Sequence, residues 1–287
     1  MNGSLQLLMQ VTIASWLDSA ERCLKEAGVP SARLDAEVLL AHTLKKPRTY
    51  LHAHHDDTID DLRALEIADA RLDLRKDRTP VAYIIGHKDF YGRRFHVTPA
   101  TLIPRPESED GITLLNELIP ATTPLLDLNE RLVDIGTGSG VLGITAKLEH
   151  PELDVHLVDI SRHALNVARR NARQLHADVT LHESNLLKNF PLKVRYIVAN
   201  LPYVDRTWDD ISPELRHEPE QALFADESGL ALIYQLIEQT HLNLEEGGHL
   251  LIEADPTQHP NIIRRAKENS LHLVTTRGYY IVFRQEA

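Results

Sequence analysis

Apolar positions in the first quarter of the chain recur at helical spacing. Ile13, Trp16, Leu17, Ala20, Cys23, Leu24 and Ala27 fall at steps of three and four, which predicts one helix with a single apolar face. Gly28 and Pro30 end it. Ser31 is placed to cap a second helix carrying Leu34, Val38, Leu39 and Leu44, and Thr58 with Asp61 has capping-box-like spacing before Leu62, Leu65, Ala68 and Leu72. A small helical bundle over residues 1–78 follows. From Pro80 the pattern turns β-prone: Val81, Tyr83, Ile84, Phe90, Tyr91, Phe95 and Val97 are broken by Gly86 and Gly92. A β-hairpin and extended linker is expected over 79–106, ending in Leu102-Ile103-Pro104-Arg105-Pro106, where residues preceding proline avoid the α region.

Beyond residue 107, strand and helix alternate. Strands are expected at 132–135, 155–158, 179–181, 194–199, 249–253, 271–274 and 279–283. Helices are expected at 107–118, 141–148, 163–175, 230–242 and 261–268. Such alternation predicts a mostly parallel, doubly wound sheet spanning a domain over 107–287. Only Thr275 to Gly278 separates the last two strands, too short for a crossover, so they form an antiparallel hairpin at one edge.

Composition narrows the classes. The net charge is −11, and through Pro80 the chain has 11 Lys/Arg against 13 Asp/Glu, so a general nucleic-acid surface is disfavoured. No apolar run approaches a membrane span, the first ten residues lack a basic leader pattern, and the lone Cys23 has no internal partner. A cytoplasmic setting is expected. His52, His54 and His55 lie in a polar stretch with no second ligand group, so no metal is expected.

Chemistry enters at Asp134-Ile135-Gly136-Thr137-Gly138-Ser139-Gly140, a glycine-rich loop between strand and helix. Glycines let the backbone approach a ligand closely. About twenty residues further on, Asp159 ends the next strand, where an acid accepts ribose hydroxyls. The spacing departs from the dinucleotide fingerprint, and Asp134 would repel a pyrophosphate. A cationic nucleoside suits this site better, and S-adenosylmethionine is one. Asn185 follows the next strand, where a polar residue can meet an adenine edge.

The fourth strand ends at Asn200-Leu201-Pro202-Tyr203. In a doubly wound sheet that end faces the same crevice as the glycine loop. The Asn200 side-chain oxygen and the Leu201 carbonyl can together accept both hydrogens of a planar NH2 group, with Tyr203 packing on it. In-line alignment with a methyl donor then supplies the catalysis, for which roughly 7–11 kcal/mol is available from positioning. Arg105 is expected to pair with Glu107 or Glu109 or to line the cleft. Glu218, before Pro219, either holds backbone near the site or faces solvent.

These motifs, with Asp35-Ala36-Glu37, Arg48-Thr49-Tyr50-Leu51, Pro80 to Gly86, Phe90-Tyr91-Gly92, Leu102 to Glu107, Asp159-Ile160-Ser161, Glu218-Pro219, Ala222-Leu223 and Gly247-Gly248, make nearly the whole chain resemble the HemK family of protein-glutamine N5-methyltransferases. The resemblance implies a class I, Rossmann-like methyltransferase fold with a seven-stranded sheet behind a substrate-recognising helical domain. It implies S-adenosylmethionine as methyl donor, with S-adenosylhomocysteine as product. The acceptor it implies is the glutamine of the Gly-Gly-Gln loop of peptide chain release factors, with no direct nucleic-acid partner. Asp134, Gly136, Thr137, Gly138, Gly140, Asp159, Ile160, Asn185 and Asn200 would meet the cofactor; Asn200, Leu201, Pro202, Tyr203, Pro104, Arg105 and Glu218 the acceptor. Ile103-Pro104-Arg105-Pro106 favours the release-factor branch over the branch acting on a ribosomal protein. Three positions depart from the family pattern: Leu201 replaces a proline, Asn185 a common aspartate and Asp255 a common glycine. The competing readings are an adenine-N6 methyltransferase, which would need a basic recognition domain, and a module that binds translation factors without turnover.

Overall fold

The computed structural model describes residues 11–119, 130–208 and 212–286; the first ten residues, read above for a leader, lie outside them. Two compact units result, Met1–Gly86 and His87–Ala287.

In the first unit, α1 (Ile13–Glu26) starts at Thr12, whose hydroxyl accepts from Ser15 N while Ser15 Oγ accepts from Thr12 N, a reciprocal cap. It is followed by α2 (Ala32–Leu44), α3 (Arg48–Ala53), α4 (Leu62–Lys76) and α5 (Val81–Ile85). The apolar stripe of α1 meets Ala36, Leu40, Leu51 and Ala68 in one buried cluster. Asp61, rather than Thr58, caps α4, accepting from Ala64 N; Thr58 instead pairs with Thr12 in a bridge that ties the loop to the start of α1. The β-prone run after Pro80 is helical, not a strand. Pro80 fixes the entry and Gly86, at φ +76°, the exit, and this punctuation overrides the β-branched side chains between them.

The second unit opens with the expected hairpin, confined to β1 (His87–Phe90) and β2 (Arg93–His96). Next come α6 (Glu109–Leu118), β3 (Arg131–Ile135), α7 (Val141–Glu149), β4 (Asp154–Asp159), α8 (Arg162–Gln174), β5 (Thr180–Glu183) and β6 (Val194–Ala199). A tight turn, α9 (Asp226–Gly229), leads to α10 (Ala231–Asn243), β7 (Leu244–Glu253), α11 (His259–Lys267), β8 (Leu271–Arg277) and β9 (Tyr280–Gln285). The seven strands run in the order β5-β4-β3-β6-β7-β9-β8; the first five are parallel, and β9 inserts antiparallel between β7 and β8.

Alternate side chains of the strands bury on opposite faces. Val133, Ile135, Ile197, Ala199 and Ile252 pack with α10 and α11, whereas Leu132, Val155, Leu157, Val198 and Leu251 pack with α6, α7 and α8. Both faces are covered by helices, so the apolar runs of the sequence are buried parallel strands. Winding reverses between β3 and β6: the chain moves outward from β3 through β4 to β5, then returns to β6 on the other side. A ligand crevice belongs at the carboxyl ends of these two strands.

Candidate active site

The glycine loop leaves β3 and turns back on β4, with Gly136 N and Thr137 N both donating to the Val158 carbonyl at 2.9 and 3.0 Å. Gly136 has φ +70°, and a Cβ there would lie 2.9 Å from a Leu201 methyl. Glycine thus leaves room for the acceptor segment to pack on the loop. Gly138 N donates to Asp159 Oδ2 at 2.9 Å, and Ser161 N to Asp159 Oδ1 at 2.8 Å. Asp159 is thereby held at the strand end with lone pairs still unused. Asp134 is 1% exposed. Its Oδ2 accepts from Thr137 Oγ1 at 2.6 Å and from Gly143 N at 2.9 Å. Burial pushes its pKa up to about 6 against those two bonds, and the neighbouring Asp159 pushes the same way. Burial also raises Asp159.

On the other side, Asn200 follows β6. Its Nδ2 donates to Ser108 Oγ at 3.2 Å. Leu201 is buried in the sheet core. The segment Ile103–Arg105 is tied down by Glu218, whose carboxylate accepts Ile103 N at 2.9 Å and Arg105 Nη2 at 2.6 Å. Arg105 thus pairs with an acid 113 residues away, not with Glu107 or Glu109, and Glu218 holds backbone instead of facing solvent.

One cavity of about 330 Å³ brings these pieces together. Asp134, Gly136, Thr137, Gly138, Asp159, Ile160 and Asn185 line it, as do Asn200, Leu201, Pro202, Pro104 and Arg105. Three expected residues are not in its wall. Gly140 sits at the start of α7 with φ +86°, where a Cβ would meet Ile144 at 2.6 Å, so it makes the turn and not the wall. Glu218 lies behind Arg105. Tyr203 packs on the sheet core, and its hydroxyl donates to Glu253 Oε1 at 3.3 Å. Asp255 also lies outside the wall, accepting from Thr257 N at 2.9 Å in the turn before α11.

The motifs did not announce Ser108, which lines the cavity, or Glu253 behind it. Gly143 was also missed; a Cβ there would lie 2.3 Å from Leu157, so glycine lets α7 approach the sheet and donate to Asp134. Its signal was a glycine three residues past the loop motif.

The donor set tests what fits. A buried carboxylate, Asp134, and a half-buried one, Asp159, face the loop end, and the one cation among the lining residues, Arg105, is paired with Glu218. A pyrophosphate would meet uncompensated negative charge there, whereas a cationic nucleoside would relieve it.

Comparison with known proteins identifies the family. Residues 15–86 match the PrmC N-terminal domain, and residues 106–225 the methyltransferase small domain. The release factor glutamine methyltransferase of Koribacter versatilis is 38% identical over 257 residues, covering 86% of this chain and 89% of the relative. That of Vibrio cholerae is 36% identical over 255 residues, covering 85% of each. Among solved structures, a methyltransferase from Pyrococcus furiosus aligns with TM-score 0.51 at 16% identity over 76% of this chain and 98% of its own. The 16S rRNA N2 G1207 methyltransferase of Thermus thermophilus aligns with TM-score 0.50 at 14% identity over 70% of this chain and 50% of its own. The last two likenesses establish the fold alone; the sequence relatives place the chain in the release factor glutamine methyltransferase family.

Proposed function

We propose that this chain methylates the side-chain nitrogen (N5) of the glutamine in the Gly-Gly-Gln loop of a peptide chain release factor, using S-adenosylmethionine. The observation that carries the reading is the single cavity joining an acid-flanked glycine loop to Asn200 and Leu201. When bound, S-adenosylmethionine supplies an electrophilic methyl group on a cationic sulfur.

The chain's residues do the rest. Asp134 carries negative charge where the cationic end would lie, Asp159 offers lone pairs to ribose hydroxyls, and Ile160 and Asn185 form the wall toward the adenine. At the other end the Asn200 oxygen and the Leu201 carbonyl accept the two hydrogens of the glutamine NH2. Two neutral acceptors fix the plane of that group and raise electron density on a nitrogen whose lone pair is otherwise delocalised. No strong base is needed, because an amide gaining a methyl becomes acidic enough to lose its proton to water. Pro202 closes the wall, and Tyr203 supports it from behind. Leucine at 201 supplies the same carbonyl as proline would, and its side chain fills the space beside Gly136. Pro104 and Arg105, held by Glu218, are the surface offered to the release factor.

This reading assigns the residues past 107 to methyl transfer and those before 78 to recognising the factor, with 79–106 between them. Among the described residues no helix is long and apolar enough to cross a membrane. A release factor as substrate supports a cytoplasmic setting. The deciding experiment uses labelled S-adenosylmethionine with release factors carrying an intact or a Gln-substituted Gly-Gly-Gln loop. Label is expected only on the intact factor; label on the substituted factor, a ribosomal protein or nucleic acid alone would overturn the reading.

A further inference from the structure

A chain of hydrogen bonds runs behind Asn200. Ser108 Oγ lies 2.6 Å from Glu253 Oε2 and 3.2 Å from Asn200 Nδ2. Ser108 and Glu253 are 2% and 1% exposed, so water does not compete for either. Ser108 enters from the short helical turn Pro106–Ser108, and Glu253 from the end of β7. Tyr203 donates to the other carboxylate oxygen, and the buried Tyr280 hydroxyl adds its dipole nearby while missing hydrogen-bond geometry.

The direction of these bonds follows from elementary rules. An ionised carboxylate only accepts. Burial raises the Glu253 pKa overall and the nearby Glu107 charge adds to this, against the hydrogens that Ser108 and the tyrosines offer; in its ionised form the carboxylate takes those hydrogens. Ser108 has one hydrogen, and the carboxylate takes it. Toward Asn200 the serine oxygen can then only accept, so Asn200 must turn its NH2 to Ser108 and its oxygen to the cavity. The opposite turn would present two hydrogens to an acceptor NH2 that also presents hydrogens, and neither could bond.

We propose that Glu253 and Ser108 are positioning residues that set the polarity of the Asn200 amide, so that its oxygen faces the glutamine NH2. The inference rests on the reading that Asn200 holds the acceptor. It deepens that reading: specificity for an NH2-bearing acceptor is set two hydrogen bonds from Asn200, by a carboxylate that never meets substrate.

The test pairs kinetics with a readout that needs no substrate. In protein labelled with 15N-asparagine, the side-chain NH2 signals missing from Asn200→Ala belong to Asn200. The parent should show slowly exchanging Asn200 hydrogens, and Ser108→Ala should shift their signals and speed their exchange with water. Glu253→Gln can donate where the carboxylate could not, so it should shift or broaden them as well. In turnover assays S108A and E253Q should each lose at least tenfold in kcat, with the Kd for cofactor within about twofold of the parent. S108T, which keeps the hydroxyl, should recover most of the S108A loss. The S108A/E253Q double variant should be no slower than the slower single, because a relay can be cut only once. Asn200 signals unmoved by both substitutions, parental kcat in E253Q, or single losses that multiply in the double variant would each overturn the relay. A parent enzyme that labels no release factor would instead defeat the functional reading, leaving the NMR result to judge the relay alone.

Discussion

Asp134 shows what the site costs the fold. Its pKa of about 6 lies above the ordinary 3.8, because burial outweighs the Thr137 and Gly143 bonds. The folded protein therefore binds this proton more tightly than the unfolded chain. The sign follows: Asp134 detracts nothing below about pH 4, destabilises increasingly up to about pH 6, and detracts a constant ~3 kcal/mol above that. Asp134→Asn keeps an oxygen for Thr137 and Gly143 but carries no charge. At pH 8, without cofactor, it should raise Tm by several degrees, and the Tm gap to the parent should shrink as pH falls from 6 to 4. Its affinity for S-adenosylmethionine should drop at least tenfold, since the buried charge that the cationic ligand would neutralise has gone. Thermal unfolding across pH, with calorimetric titration of cofactor, checks both halves. A Tm below the parent's at pH 8 would show that the carboxylate is not under strain.

At the scale of elements, Glu218 is what makes the Ile103–Arg105 segment a wall. An extended stretch has no internal hydrogen bonds to hold it, and this one borrows two from a single carboxylate. Removing that partner leaves a backbone N–H and a guanidinium without their bonds, at about 1.5–3 kcal/mol for a hydrogen bond to a charged group. Glu218→Ala should raise the KM for the release factor at least tenfold with little change in cofactor Kd. Glu218→Gln, which still accepts the Ile103 N–H, should fall between. Steady-state kinetics with each substrate varied in turn would settle it, and a rise confined to the cofactor KM would place the clamp elsewhere. The contrast with the rest of the unit shows what a sequence can carry. The five parallel strands and their crossover helices were legible, because buried strands need unbroken apolar runs and the helices between them need amphipathic ones. The glycine loop and Asn200 were legible because backbone approach and strand-end amides leave local signatures. Val81–Ile85 was misread because β-branched content was weighed above the Pro80 and Gly86 that bracket it. Glu218 with Arg105, and Ser108 with Glu253, could not be paired, for they lie 113 and 145 residues apart and only the folded sheet brings them together.

At the scale of the whole molecule, the chain carries two tryptophans, one in each compact unit, so each unit has its own reporter. Trp16 is buried in the helical core, where its Nε1 donates to Asp69 at 2.8 Å. Trp208 is half-exposed on the connection after β6, the same connection that supplies Leu201, Pro202, Pro219 and Ala222 to the cavity. Every residue lining that cavity belongs to the second unit. A ligand that binds the native state stabilises whatever it binds by mass action, about 2.7 kcal/mol at one hundred times its Kd. For a unit of roughly 200 residues that corresponds to a rise in Tm of about 5–10 °C. Trp16→Phe leaves only Trp208 to report, and Trp208→Phe leaves only Trp16. With S-adenosylmethionine at one hundred times its Kd, the Trp208 transition should rise by that amount. A release factor bound without cofactor should act on the other reporter if the helical unit recognises it: the Trp16 transition should rise with factor concentration. A cofactor shift seen with Trp16 but not Trp208 would put the ligand in the wrong unit, and a factor shift seen only with Trp208 would make the second unit the docking surface and deprive the helical unit of its recognition role.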